Sequence, residues 1–469
     1  MARFGVTGRA AATYITLAGL QRGVSLLILP FVTRVMPVSD YGAASTLSAA
    51  AVLVTSLMAA PLTQLIVRAA ARNDHDGPSH LRVIAIYCYI VLPSAIGLAA
   101  AAVALLVPQA LGVPGTLWAI EVLAIGFQPA TLNFAMWVAR AREDLRLFVR
   151  LSLTSLFATV VFKLVLVVFL RLGVLGWVTS DLLSAILSAL MAVLLVRLPR
   201  TRVNSQHVRY VIRFTLPLVP HTASLWALTA LSRPAMAAVS TLQQVGLLSF
   251  GLNLATLAGL ILAEFNAATL PRYAREVFRA PTHETLVPVR LQLIAALAVP
   301  AIVGSGVAIA GRFIFAPEYW PSFQLTGVLL IGQAAYGLYL IPMNYLTQTA
   351  GLTKFSSLAS GAGAAVILIL ILAFGRRDGA VGVAYATVAG YATMAATAAI
   401  LMRTHKLDIA WKSWLAFWPA ILISTAALVC TVVALMTPLG SVLAAALTAT
   451  SLTLVLIVIV AMISRSVCR

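Results

Sequence analysis

Arg22 stands in the stretch GLQRGVSLLILP (19–30), inside an apolar run that carries no acid to pair with it. A guanidinium offers a rigid fork of N–H donors that matches a phosphate. Counted from a helix start near residue 10, Arg22 lies about 18 Å along the axis at 1.5 Å per residue. That depth is too great for its head to reach a membrane surface. Two readings follow. Arg22 faces a wet cleft and binds a diphosphate, or it pairs internally, with Glu121 or with a carbonyl near a kink.

Lys163 and Asp181 are a second constellation. Lys163 precedes Arg171 by as many residues as Asp181 follows Gly173, so on consecutive helices their depths match. A buried ion pair is the economical reading; a role for Asp181 in proton or sodium coupling is the other. Ser249, Asn253, Thr256, Leu260 and Glu264 recur at helical spacing on one face, as do Gln333, Tyr336, Leu340, Asn344 and Thr347. Such stripes either line a cavity and hydrogen-bond sugar hydroxyls or tie packed helices together. His221, beside Pro220, is a titratable substrate contact or a packing residue. Arg34 and Arg233, at outer helix ends, are gate residues or interfacial anchors. Pro217 and Pro220 together mark a hinge, or simply shape the helix.

Enzyme chemistry finds little support. The Asp-x-Asp and histidines of NDHDGPSH (73–80) read as a polar turn. THET (282–285) is not a His-Glu-x-x-His zinc helix, and no phosphate-binding P-loop is present. No cofactor or metal is expected, and a coupling ion, H+ or Na+, stays open.

The elements that must position these groups are membrane spans. Of 469 residues, 61% are hydrophobic and only 10% charged, against about 25% charged in a soluble domain. About fourteen apolar runs reach the ~20 residues that a bilayer requires. The net charge of +19 does not signal nucleic acid, because the arginines concentrate in alternate short gaps. That asymmetry places those gaps, and both termini, on the cytoplasmic side. The three cysteines form neither a disulfide framework nor a metal spacing.

The chain also repeats itself. Pro93 and Pro114 correspond to Pro300 and Pro321, and GVLGWVTSDLLSAILSALMAVLLVR (173–197) lies over GAVGVAYATVAGYATMAATAAILMR (379–403). Six helices therefore repeat as six more in the same orientation, with two helices appended. The expected division is 1–200, 201–404 and 405–469. The expected fold is an all-α integral membrane protein: two parallel-repeat six-helix lobes, a central cleft and an appended pair.

Several stretches carry a family likeness. FVTRVMPVSDYGAAS has an arginine, a proline and then Tyr-Gly in the first loop. FTLPLVPHTASLWALTALSR with VGLLSFGLNLA, then FAPEYWPSF and DGAVGVAYATVAGY, follow in order. Together they resemble the polysaccharide-flippase branch of the multidrug/oligosaccharidyl-lipid/polysaccharide exporter superfamily, and within it the Wzx-type O-antigen and exopolysaccharide repeat-unit flippases. Two departures stand out: Gly-Leu-Leu (246–248) where Gly-x-Tyr is common, and VGVAYAT without the usual Gly-Ala-Ala.

The resemblance implies lobes set in a V. It implies a polyprenyl-diphosphate-linked oligosaccharide moved from the inner to the outer leaflet of a bacterial cell membrane. Membrane lipids, a glycan polymerase and glycosyltransferases are the implied partners. A cation-coupled multidrug exporter and a peptidoglycan-precursor flippase are the rival readings on the same scaffold. A membrane glycan polymerase or ligase is disfavoured by the short outer gaps.

Overall fold

The computed structural model describes residues 17, 23, 26–71, 76–197, 201–273, 283–405, 418–438 and 440–467. Eleven helices among the described residues are long and apolar enough to cross a membrane. Large apolar side chains such as Leu105 (84% exposed) and Phe313 (83%) project outward. That surface suits lipid, where helices satisfy every backbone polar group internally. The protein is a multi-pass integral membrane protein. Its helices pack as two units, Met1–Trp226 and Ala227–Arg469.

In the first unit α1 spans Val38–Met58 and α2 spans Leu62–Ala71. The sequence reads as one continuous run here. Pro61 stands at the break, where a ring without an N–H cannot continue the ladder. The next helices are α3 (Gly77–Leu106), α4 (Gly115–Ala141), α5 (Leu145–Phe169) and α6 (Gly173–Leu195). A hairpin of β1 (Gln109–Ala110) and β2 (Val113–Pro114) joins α3 to α4, an element the all-helical expectation lacks. Its turn residues, Leu111 and Gly112, both have positive φ (51° and 76°), which suits the twist of a two-residue hairpin. After α6 come α7 (Ser205–Thr215), a 3-10 turn at Leu216–Leu218, and α8 (Val219–Ala230). Phe134, Phe148, Leu65, Ile84 and Val211 belong to one buried cluster that ties α2 to α5 and α7 together.

In the second unit α9 (Ser232–Val239) precedes α10 (Leu242–Tyr273), α11 (His283–Ile314) and α12 (Ser322–Thr349). Then α13 runs from Lys354 to Thr404, with a break at Gly379 (φ 55°, ψ −138°). Its two halves fold onto each other. A Cβ on Gly363 would lie 2.7 Å from the Gly390 carbonyl, so the small residues of SGAGAA (360–365) permit this close approach. The two halves correspond to two of the about fourteen expected apolar runs. The last helices are α14 (Trp418–Met436) and α15 (Val442–Val467).

The first compact unit runs to Trp226: α7 buries Val211 in the first core and the Trp226 indole donates to the Ala49 carbonyl at 2.8 Å. Helices α14 and α15 fall in the second compact unit. Ala427, Leu428, Val455 and Val458 pack on Ile294, Leu297 and Ala334 of α11 and α12.

Candidate functional site

Helix depth brings the first charged groups together. Lys163 closes the regular part of α5 and Asp181 sits two turns into α6. The Lys163 Nζ lies 3.1 Å from Asp181 Oδ1 and 3.2 Å from Oδ2. One turn before Asp181, Trp177 covers the ammonium, with its ring centroid 3.3 Å from Nζ. Such a cation–π contact strengthens when desolvated, and Lys163 is only 6% exposed. The indole is itself fixed: Nε1 donates to Ser48 Oγ at 3.2 Å, and Tyr41 meets it edge-on at 6.0 Å. Glu121 of α4 is 2% exposed, lies within the electrostatic field of both Lys163 and Asp181, and has an Oε2 without a hydrogen-bond partner among the described residues. The cluster thus gathers two carboxylates around one ammonium in a low-dielectric interior, where charge imbalance is costly.

The second unit holds a polar network rather than a charge cluster. Asn344 Nδ2 on α12 donates to Asn266 Oδ1 on α10 at 2.7 Å. Gln292 of α11 donates to the same oxygen and to Thr269 Oγ1, both at 2.8 Å. The Tyr273 hydroxyl donates to Gln292 Oε1, and Thr349 Oγ1 donates to the Tyr273 carbonyl at 2.8 Å. One interlocked set of side chains therefore joins three helices, and Asn344 spends its amide there.

The other expected residues divide similarly. Asn253 accepts from Arg233 Nη2 at 3.0 Å, which places Arg233 against the α10 stripe. Thr256 returns its hydroxyl to the Leu252 carbonyl at 2.6 Å. The Gln333 carboxamide lies directly over Gly259, occupying the position of a Cβ, so it packs α12 onto α10. Glu264 is half-buried on the same helix. Arg34 is exposed just before α1. Pro217 falls in the 3-10 turn between α7 and α8, and Pro220 opens α8. Arg22 and the side chain of His221 lie outside the described residues.

The sequence reading passes over Asn266, Thr269, Tyr273, Gln292 and Trp177. Gln292 carries a usable signal, an isolated amide in LQLIAALAV; polar groups in such runs are rarely without a partner. Among the described residues no three His, Cys, Asp or Glu side chains are grouped to hold a metal ion.

The family model described as "Polysaccharide biosynthesis protein" matches residues 8–276. No curated protein sequence matches the chain. Among solved structures, "Lipid II flippase MurJ, inward closed conformation" is similar with a TM-score of 0.71 at 13% identity, over 99% of this chain and 100% of that one. An inward-facing multidrug resistance MATE family transporter of the MOP superfamily gives 0.62 at 13% identity, over 82% and 94%. An outward-facing structure of a MATE family transporter gives 0.55 at 14%, over 84% and 95%. At these identities the likeness is one of fold.

Proposed function

The chain belongs to the polysaccharide biosynthesis protein family, and from that premise we propose that it is a flippase for a polyprenyl-diphosphate-linked oligosaccharide. The cargo would be an O-antigen, exopolysaccharide or capsule repeat unit, carried from the inner to the outer leaflet of a bacterial cell membrane. The observation that carries the reading is a coincidence: a family match over 8–276 joined to a fold likeness with a flippase over 99% of the chain.

In this reading the two repeat units form a V-shaped cleft and work by alternating access. Arg22 takes the diphosphate through its paired donors. Asn253, Glu264, Gln333, Asn344 and His221 contact the sugars as the network rearranges. Arg34 and Arg233 gate the outer end, and Pro217 and Pro220 form the hinge. Moving a negative charge out of an inside-negative cell releases about 2.3 kcal/mol per charge per 100 mV, so an anionic head contributes to its own export.

One observation favours a second reading on the same scaffold. Glu121, Asp181 and Lys163 place an excess carboxylate in the first unit, which suits a coupling cation, H+ or Na+, as in a cation-coupled exporter.

Mass spectrometry of lipid-linked glycans in cells with and without the gene tests both. Loss of the gene should accumulate a completed, unpolymerised diphosphate-linked repeat unit, and Arg22→Ala should reproduce that accumulation. Accumulated peptidoglycan precursor would reassign the cargo. An unchanged lipid pool with new sensitivity to cationic drugs would transfer the protein to the exporter reading.

A further inference from the structure

Helix α7 is built for a membrane surface. Val208, Val211, Ile212 and Thr215 fall at helical spacing on one face, while Arg209 and Arg213 occupy others. Its start is fixed by a reciprocal cap. The His207 N–H donates to Asn204 Oδ1 at 3.0 Å, and the Asn204 N–H donates to His207 Nδ1 at 3.2 Å. The helix is then pinned to the start of α3: His207 Nε2 lies 3.7 Å from Asp76, His80 stacks on Tyr210 at 4.4 Å, and Ser79 Oγ donates to the Arg202 carbonyl at 3.4 Å. Even so, Ile212 is 54% exposed and Val208 40%.

This anchoring leaves a cavity of about 490 Å³ within the first unit. Met58 and Leu62, Val83 and Ile86 of α3, and Val208 and Ile212 of α7 line it. The volume is within the range of small-ligand sites. The cavity is almost wholly apolar. A second cavity of about 470 Å³ adjoins it, lined by Arg82, Ile86, Thr201, Arg202 and Val203. Ile86 and Val203 line both, so the two lie side by side. No acid lines the second cavity, and neither Arg82 nor Arg202 is paired with a carboxylate among the described residues. Thr201 Oγ1 is buried there without a hydrogen-bond partner among the described residues.

We propose that this paired cavity is a binding site for one anionic phospholipid, with an acyl chain along α3 and α7 and its phosphate on Arg82, Arg202 and Thr201. The argument is complementarity. An apolar slot beside an open basic depression fits a molecule with an apolar chain and a negatively charged head. The small slot fits a single acyl chain better than a long polyprenyl tail, so the occupant is a membrane phospholipid and not the cargo. The site would anchor the connection between α6 and α8 to the inner leaflet. It requires nothing of Arg22 or of the cargo's identity.

The test uses the full-length purified protein, delipidated in detergent, and native mass spectrometry with phosphatidylglycerol, phosphatidylcholine and a polyprenyl diphosphate as probes. The wild type should retain phosphatidylglycerol in preference to phosphatidylcholine. R82A/R202A should reduce that preference by about tenfold or more, and V203D, which places a carboxylate in the basic depression, should do likewise. R376A/R377A, at the α13 bend, should leave it unchanged, and all variants should keep the wild-type melting temperature. Equal retention of the two phospholipids, or a preference that survives R82A/R202A, overturns the proposal. So does displacement of phosphatidylglycerol by the polyprenyl diphosphate at equal or lower concentration, which would assign the cavity to the cargo.

Discussion

Lys163 is held by two contacts, the Asp181 carboxylate and the Trp177 ring, with Glu121 buried nearby. A buried pair of this kind adds little net stability, yet removing one partner leaves an uncompensated charge at a cost of about 3–5 kcal/mol. Lys163→Met should therefore lower the melting temperature in detergent sharply, while K163M/D181L should recover most of the loss. A double variant no more stable than the single would mean that the pair is not the unit of stability. The pairing was readable because depth on consecutive helices follows from counting residues to a common turn. Trp177 was not readable as its partner, since a tryptophan in a membrane span has many apolar roles and only the packed geometry selects the cation. The polar stripes show the same limit. Helical spacing identified Asn253 and Asn344, but their partners, Arg233 and Asn266, come from other elements.

At the scale of elements, hydropathy located the spans and could not locate their irregularities. Four π-helical turns interrupt otherwise regular helices among the described residues: Tyr87–Val91, Ala130–Ala135, Leu164–Phe169 and Tyr345–Thr349. Three stand within three residues of Pro93, Pro129 or Pro342, and the third in order directly follows Lys163. Such insertions loosen the local ladder and recur at functional positions. The bend in α13 has a sharper cause. Gly379 adopts a φ of 55° with ψ −138°, and the Ala380 N–H donates to Gln244 Oε1 at 3.0 Å. A Cβ on Gly379 would sit 2.9 Å from that same oxygen. Gly379→Ala should thus cost about 1–3 kcal/mol, visible as a lower melting temperature, whereas neighbouring Arg377→Ala should stay within about 0.5 kcal/mol. Equal effects at the two positions would refute the strain argument.

For the whole molecule, paired prolines and paired G-x-x-G helices are the sequence's own argument for a repeat; separately, the fold likeness to MurJ covers 99% of the chain. The last two helices look appended in sequence, yet they are built into the second unit. Ser305, Thr431 and Ser451 share hydroxyl contacts at 2.7 to 3.4 Å across α11, α14 and α15. A chain ended after Thr404 would uncover that face and leave Ser305 without these partners. It should migrate as aggregate in size-exclusion chromatography in detergent. A monodisperse product would show that the pair is a separable addition.

The sequence by itself determined that the protein lives in a bilayer, which gaps carry the positive charge, and that Lys163 and Asp181 share a depth. These properties are set by local composition and by distance along a helix, and both are written in residue order. Only the tertiary structure decided which neighbours Asn344 and Gln333 meet on other helices, that Trp177 roofs Lys163, and that α7 lines an apolar slot beside Arg82 and Arg202. A hydrogen bond or a cavity wall is completed by a residue far away in the chain, and its identity is fixed only when the helices pack.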